Sequence, residues 1–416
     1  MTDRVAEFIA RLDTLLPESE LVELAAGLAA IPSPTGGETE LAVHIRDLLE
    51  RNGIRSELHE VSAGRQQTVG WVGPAEGKPG LLLNGHLDID PLVLGHPDDP
   101  YRARRVGDKL YGAGLHNMKS GLAAILAAAM AVRRSEIELN KPLLLEFVVG
   151  ELQGGLGTRE ALRRGLTAEA AVVPEPYSVR RVITRTAGVY KFAVVVRGVS
   201  AHTSRSHEGV DALAVLRGVC DLLEDNRLRL PDGAALYSDD FPTLPRLQIA
   251  SMVAGRGEAH DLSGVSYCAD KATALVDLRY PPPFEPADVA DALRDVLSQA
   301  TARYPRAHIA FDHPPDPVFG VGGTDMPPMD VPGDSAIVAD VSKLLTEVSE
   351  FTVEETGLAL PYSYCGNDTT HLSRAGIECC LFGPRGAGAD TEHHVLVSEM
   401  SACARTLAAL AVLRCG

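Results

Sequence analysis

Four short apolar runs, each closing on polar or turn-forming residues, constrain this chain most. They are GLLLNGHLDI (80–89), LLLEFVVGE (143–151), AAVVPEP (170–176) and CCLFGPR (379–385). The first is too short for an independent helix, and all four read as buried strands. Amphipathic helices are predicted over 5–16, 19–30 and 39–52, and a small-residue helix over 118–133. Strands alternating with helices predict an α/β fold, with a mixed, largely parallel sheet sandwiched by helices.

The pattern changes near residue 187. VYKFAVVVRG alternates like a strand with one exposed face, and DALAVLRGVCDLLEDN is an amphipathic helix. RLQIASMVAG and KATALVDLRY read as strands, and ADVADALRDVLSQATARY as another helix. This order predicts a compact α+β domain inserted into the first. The expected limits are 1–186 and 306–416 for the two parts of the main domain, and 187–305 for the insert. A length of 416 residues suits two domains.

A net charge of −17 argues against nucleic acid or an anionic membrane as partner, since both need a basic surface. No apolar run reads as long enough to span a bilayer. The start, MTDRVAEFIARLDTLLPESE, lacks the pattern of a secretory signal, so a cytoplasmic location is expected. The seven cysteines form no CxxC pair, and Cys379 and Cys380 fall in a buried strand. Reduced, structural thiols are expected.

The chemistry-bearing residues cluster where the buried strands end, which is where an open α/β sheet builds its binding crevice. His86 and Asp88 are two apart and share a side of their strand, so Asp88 can sit behind His86 and hold its ring. Asn117 opens the helix after the glycine loop GAGLHNMKSG (112–121). Glu151 ends a strand before the glycine turn of GELQGGLG, and Glu175 lies in VVPEP.

The order GHLDID, GAGLHNMKSG, GELQGGLGTRE, PEP resembles the zinc-dependent aminoacylase and carboxypeptidase family. That family includes glutamate carboxypeptidase, acetylornithine deacetylase and succinyl-diaminopimelate desuccinylase. The resemblance continues through RGVSAHTSRSHEGVDAL (197–213), VSYCADKATALVDLRYPP (265–282), CGNDTTHL (365–372) and GPRGAGADTEHHVLVSEM (383–400). It implies a catalytic domain holding two zinc ions and an inserted lid domain that forms a homodimer. His86 and Glu175 then match ligands of the first zinc, Asp88 the carboxylate that orients His86, and Glu151 the general base. His202 matches a histidine that stabilises the oxyanion in the partner's site, and Arg279 an arginine that grips a substrate carboxylate. Asp368, in CGNDTTHL, is a further implied substrate contact.

Several positions depart from that pattern. Asn117 stands where the family has the aspartate that bridges both metals, so it becomes a weakened ligand and a candidate substrate contact. Leu152 stands where a glutamate ligates the second zinc, and leucine has no donor atom. Asp390 lies closest to the last histidine ligand, with His393 and His394 following. Ser266 replaces an asparagine that contacts substrate. The expectation is therefore at most one well-bound zinc or other divalent ion, on His86, Asn117 and Glu175, with Asp390 or His394 as further ligands.

Three readings follow. The first is an amide-bond hydrolase acting on an N-acyl amino acid or peptide-like small molecule with a free carboxylate. The second is a metal-independent, non-hydrolytic enzyme of a specialised biosynthetic pathway: an isomerase, lyase, cyclase or acyl transferase. The third is a non-catalytic scaffold that binds a carboxylated ligand.

Overall fold

The computed structural model describes residues 3–92, 99–225, 228–321, 325–388 and 393–416. It divides into two compact units. One comprises Met1–Arg185, Val331–Ser363 and Asn367–Gly416, and the other Thr186–Asp330 with Tyr364–Gly366.

The first unit is built on an eight-stranded sheet. Its strands are β1 (Arg55–Ser62), β2 (Arg65–Val72), β3 (Leu81–His86), β4 (Leu143–Val148), β5 (Ala170–Val173), β6 (Arg181–Ile183), β7 (Glu355–Gly357) and β8 (Glu378–Leu381). The spatial order is β1-β2-β4-β3-β5-β8-β6-β7. Strands β4, β3, β5 and β8 are parallel neighbours, so the four apolar runs form the centre of the sheet. Their side chains are buried on both faces, as a covered parallel sheet requires. The hairpin β1–β2 was not expected from the sequence. As an edge strand, RSELHEVS carries polar residues and is only partly buried, so no apolar run marks it.

Helices cover both faces. Helix α1 (Asp3–Leu15), α2 (Glu18–Ala29), α3 (Thr39–Arg51) and α4 (Ser120–Ser135) fall within two residues of their expected limits. A Cβ on Gly70 would meet Leu49 of α3, whereas Trp71, on the opposite side of β2, lines a cavity with Val132 and Arg133 of α4. One expectation needs correction. The stretch Leu115–Ser135 does have the length and apolarity of a bilayer-spanning helix. However, 89% of its apolar window is buried inside the protein, packed against α1, α2, β3 and the helix Val397–Cys415. Its apolar surface is used by the core.

The second unit has a four-stranded antiparallel sheet ordered 246–255, 271–280, 188–197, 308–312. Helices Ala212–Asp225 and Pro286–Arg303 pack on it around Phe192, Leu216, Leu278 and Val296. Strand Gly188–Arg197 was expected to expose one face. It is central instead, and all but Lys191 and Arg197 are buried. The unit also runs to Asp330 rather than to 305, because His308–Asp312 adds a strand that pairs with Ala193–Arg197.

Candidate active site

The site in the first unit is assembled by strand ends. Pairing of β3 with β4 continues one residue past His86, since Leu87 N–H donates to the Val148 carbonyl at 2.8 Å. That extension fixes Asp88, which is fully buried. The Asp88 carboxylate accepts the backbone N–H of Glu151 and of Leu152, each at 3.1 Å, and the Thr35 hydroxyl at 3.3 Å. It therefore clamps the turn that carries Glu151 to the end of β3.

The expected role of Asp88 is changed in detail. His86 Nδ1–H donates to the backbone carbonyl of Asp88 at 2.8 Å, while the carboxylate is 3.6 Å away. The backbone thus fixes the ring's orientation and leaves Nε2 facing the site. Nε2 lies 3.1 Å from Asn117 Oδ1 and 3.6 Å from Glu175 Oε1. Glu175 is two residues past β5, where glycine lets the chains close up. A Cβ on Gly383 would lie 2.4 Å from the carbonyl oxygens of both Pro174 and Glu175.

Glu151 is held by a turn in which Gly150, Gly154 and Gly155 all have positive φ, conformations that side chains rarely adopt. Arg65 braces this turn from below. It donates to Gln153 Oε1 at 2.5 Å and pairs with the fully buried Glu38. Asp368 sits against the same turn, since a Cβ on Gly155 would lie 2.7 Å from its Oδ1.

Burial sets the electrostatics. It pushes the carboxyl of Glu151 well above the ordinary range, and Glu175, Asp368 and Asp88 push the same way against the pull of His86. Burial likewise raises Glu175 and takes Asp368 to about 7. Burial opposes a charge on His86, but the Asp88 contact and the nearby carboxylates outweigh it and hold the imidazole well above its usual value. For Asp88, burial is outweighed by His86 and by the two backbone N–H groups, so its carboxyl is lowered. Asp88 and His86 are thus both shifted towards their charged forms, and the acids around them towards their neutral forms.

The donor set is uneven. Among the described residues, no three His, Cys, Asp or Glu side chains form a group that could hold a metal ion. With the amide of Asn117 included, two oxygen donors lie within 3.6 Å of His86 Nε2. Ligand atoms bound tetrahedrally at about 2.0–2.1 Å lie roughly 3.3 Å apart, close to the 3.1 and 3.6 Å separations around His86 Nε2. These residues fit one ion. A second ion is not matched, since Leu152 has no donor. His394 is buried against Tyr111, and its Nε2 accepts the Ala387 N–H at 2.9 Å. Asp390 lies outside the described residues.

The remaining sequence candidates fall in the second unit. His202 Nδ1 accepts the Ser204 N–H at 3.2 Å, so Nε2 carries the proton of the neutral ring and is a donor. Arg279 forks onto Asp277, two residues along its strand, at 2.6 and 2.9 Å. A substrate carboxylate would have to share that guanidinium. The Ser266 carbonyl accepts the N–H and hydroxyl of Thr203.

Sequence reasoning missed two supporting groups. Glu399 accepts the Ser178 hydroxyl at 2.8 Å and the N–H groups of Val179 and Arg385, tying down the segment after Glu175. Glu146, buried in β4, accepts from Asn84 at 2.9 Å. The available signal was an acid inside an apolar run, LLLEFVV.

The chain matches the model of "Peptidase family M20/M25/M40" over residues 82–412. It is 24% identical over 321 residues to a Staphylococcus epidermidis protein named probable succinyl-diaminopimelate desuccinylase, covering 73% of this chain and 78% of the other. It is 27% identical over 348 residues to acetylornithine deacetylase of Salmonella arizonae, covering 80% and 85%. A Saccharomyces cerevisiae di-peptidase has the same fold, with a TM-score of 0.76 at 13% identity, over 99% of this chain and 98% of that one. With four-fifths of its length matched by the family and the strand-end residues of the pattern brought together, the chain belongs to peptidase family M20/M25/M40, as a metallopeptidase- and amidohydrolase-like enzyme.

Proposed function

We propose that the protein hydrolyses the amide bond of an N-acyl amino acid or a peptide-like small molecule bearing a free carboxylate, with Glu151 as general base. The observation that carries this reading is the placement of Glu151. It is a buried carboxylate on a rigid turn, clamped through Asp88 to the strand that bears His86. A carboxyl held above its ordinary range is suited to taking a proton from an attacking water and returning it to the leaving amine. His86, Asn117 and Glu175 would hold one divalent ion, zinc in this reading, whose chemistry when bound is to polarise the amide carbonyl. His202, as an Nε2–H donor, would stabilise the oxyanion from a partner subunit of a homodimer, and Arg279 would bind the substrate carboxylate. The relatives named for desuccinylation and deacetylation support a carboxylated, amino-acid-like substrate. The free cysteines accord with a cytoplasmic setting.

The test is a panel of N-acyl amino acids and dipeptides, assayed with zinc, cobalt or manganese, beside elemental analysis of the purified protein. Product formation that disappears in Glu151→Gln supports the reading. No cleavage under any metal sinks it. A second reading draws on Leu152 and Asn117, which remove two carboxylate donors while Glu151 remains. It is a metal-independent proton-transfer enzyme, supported if full activity survives chelation and is lost in Glu151→Gln.

A further inference from the structure

On the first unit, a cavity of about 560 Å³ opens beside β1, β2 and the end of α4. Its wall includes Val72, which pairs with Leu143 at the amino end of β4, whereas Glu151 follows the carboxyl end of that strand. The two places are about 17 Å apart along β4. None of the residues placed in the candidate active site lines this cavity.

The charges in the wall are unusual for so acidic a chain. Arg55 lies over the indole of Trp71, 4.5 Å from the ring centroid, and pairs across the hairpin with it. Arg133 donates Nε–H to the Gly53 carbonyl at 3.1 Å. Neither guanidinium pairs with a carboxylate among the described residues, although acids outnumber bases by 56 to 39. A guanidinium lying over a ring still has N–H groups in its own plane that can reach a carboxylate. Glu136 and Glu138 also line the cavity, and their carboxylates form no ion pair among the described residues. Trp71 and Ile137 add apolar surface.

Two unpaired cations, two unpaired anions and an apolar wall complement a ligand carrying both charges and an apolar body. We infer that this cavity is a second small-molecule site, for a zwitterionic amino acid with an apolar side chain. Its carboxylate would meet Arg55 and Arg133, its ammonium group Glu136 or Glu138, and its side chain Trp71 and Ile137. This assignment does not depend on the hydrolase reading.

Trp71 is the only tryptophan in the chain, so its fluorescence reports on this cavity alone. The full-length protein is titrated with L-phenylalanine, phenylacetate and phenethylamine, following Trp71 emission and, in parallel, binding heat by calorimetry. The expected result is saturable binding of phenylalanine, weakened about tenfold in Arg133→Gln and in Arg55→Gln, with both truncated analogues weaker than phenylalanine. Both arginines are exposed, so the variants should fold, and Glu151→Gln should bind as the wild type does. Absence of both signal and heat overturns the site. Binding unchanged in the arginine variants overturns its placement, and phenylacetate binding as tightly as phenylalanine overturns the zwitterion.

Discussion

The two sides of the candidate active site differ in how deep their polar order runs. Around His86, each polar group is held by another: the ring by the Asp88 carbonyl, and the Asp88 carboxylate by Thr35 and two backbone N–H groups. Around Leu152 the side chain offers no donor, and His394 already spends Nε2 on Ala387. Yet Leu152 still belongs to the ordered side through its backbone, because its N–H is what Asp88 holds. Any residue except proline supplies that N–H. A ligand side chain could therefore be exchanged for leucine without loosening the turn that carries Glu151. Positioning of the base and provision of a second metal donor are separable in this fold.

The largest expected effect tests the ordered side. Glu151→Gln keeps the backbone contact to Asp88 and removes only the proton-accepting carboxylate. Turnover of whatever substrate the panel identifies should fall by about 10²–10⁴-fold, with the melting temperature not lowered. A variant within threefold of wild type would show that this turn positions something other than the base.

The next test restores the other side. In the double variant Leu152→Glu/Asn117→Asp, two carboxylates return to backbone positions that are already in place. Metal content per subunit should rise by one ion over wild type under identical loading. An unchanged content would mean that the Leu152 side has lost more than its donor, for example through the engaged His394.

A third change strikes the turn shared by both sides. Gly155 has φ +72°, and a Cβ there would lie 2.5 Å from His371 Cδ2 and 2.7 Å from Asp368 Oδ1. Gly155→Ala should cost about 3 kcal/mol in urea unfolding, combining positive-φ strain with overpacking against partly fixed neighbours. A cost below about 0.5 kcal/mol would mean that the turn relaxes freely and that the rigidity ascribed to it is wrong.

The legible parts of the molecule were those whose residues answer to their immediate surroundings. The runs LLLNGH, LLLEFV, AAVV and ECCL form the buried centre of the sheet because doubly covered parallel strands need apolar side chains on both faces. His86, Asn117 and Glu175 were legible as a group through motif order, and they do converge. Strand β1 escaped notice because an edge strand needs little apolar character, and β2 because Arg65, Gln67 and Thr68 put polar side chains at buried positions. The strand His308–Asp312 escaped because its pairing partner lies more than a hundred residues away. The backbone role of Asp88 was also illegible, since a carbonyl acceptor leaves no mark on side-chain identity. The same holds for Arg279, whose fork onto Asp277 depends on rotamers that spacing alone does not choose.

The smallest expected effect probes the layer behind the ordered side. Glu146 is buried in β4. Its Oε2 accepts from Asn84, while Oε1 has no hydrogen-bond partner among the described residues. Burial, aided by the charge of Asp368, raises its carboxyl to about 8 from 4.5, against the pull of Asn84. A carboxyl raised in the folded state binds its proton more tightly there than in the unfolded chain. Its contribution is therefore complete below pH 4.5 and is lost as pH rises towards 8. Wild-type stability should fall through that window by on the order of 1 kcal/mol per pH unit from this group. Glu146→Gln keeps an amide oxygen to accept from Asn84 and cannot ionise, so its unfolding free energy should fall less steeply between pH 5 and pH 7.5. The slope should not vanish, because Asp368, raised to about 7, titrates in the same range. Parallel urea midpoints for the two proteins across that range would show that Glu146 is ionised in the fold. The ordered side would then carry one more buried negative charge than its geometry can satisfy, and the polar depth that distinguishes it from the Leu152 side would end at Asn84.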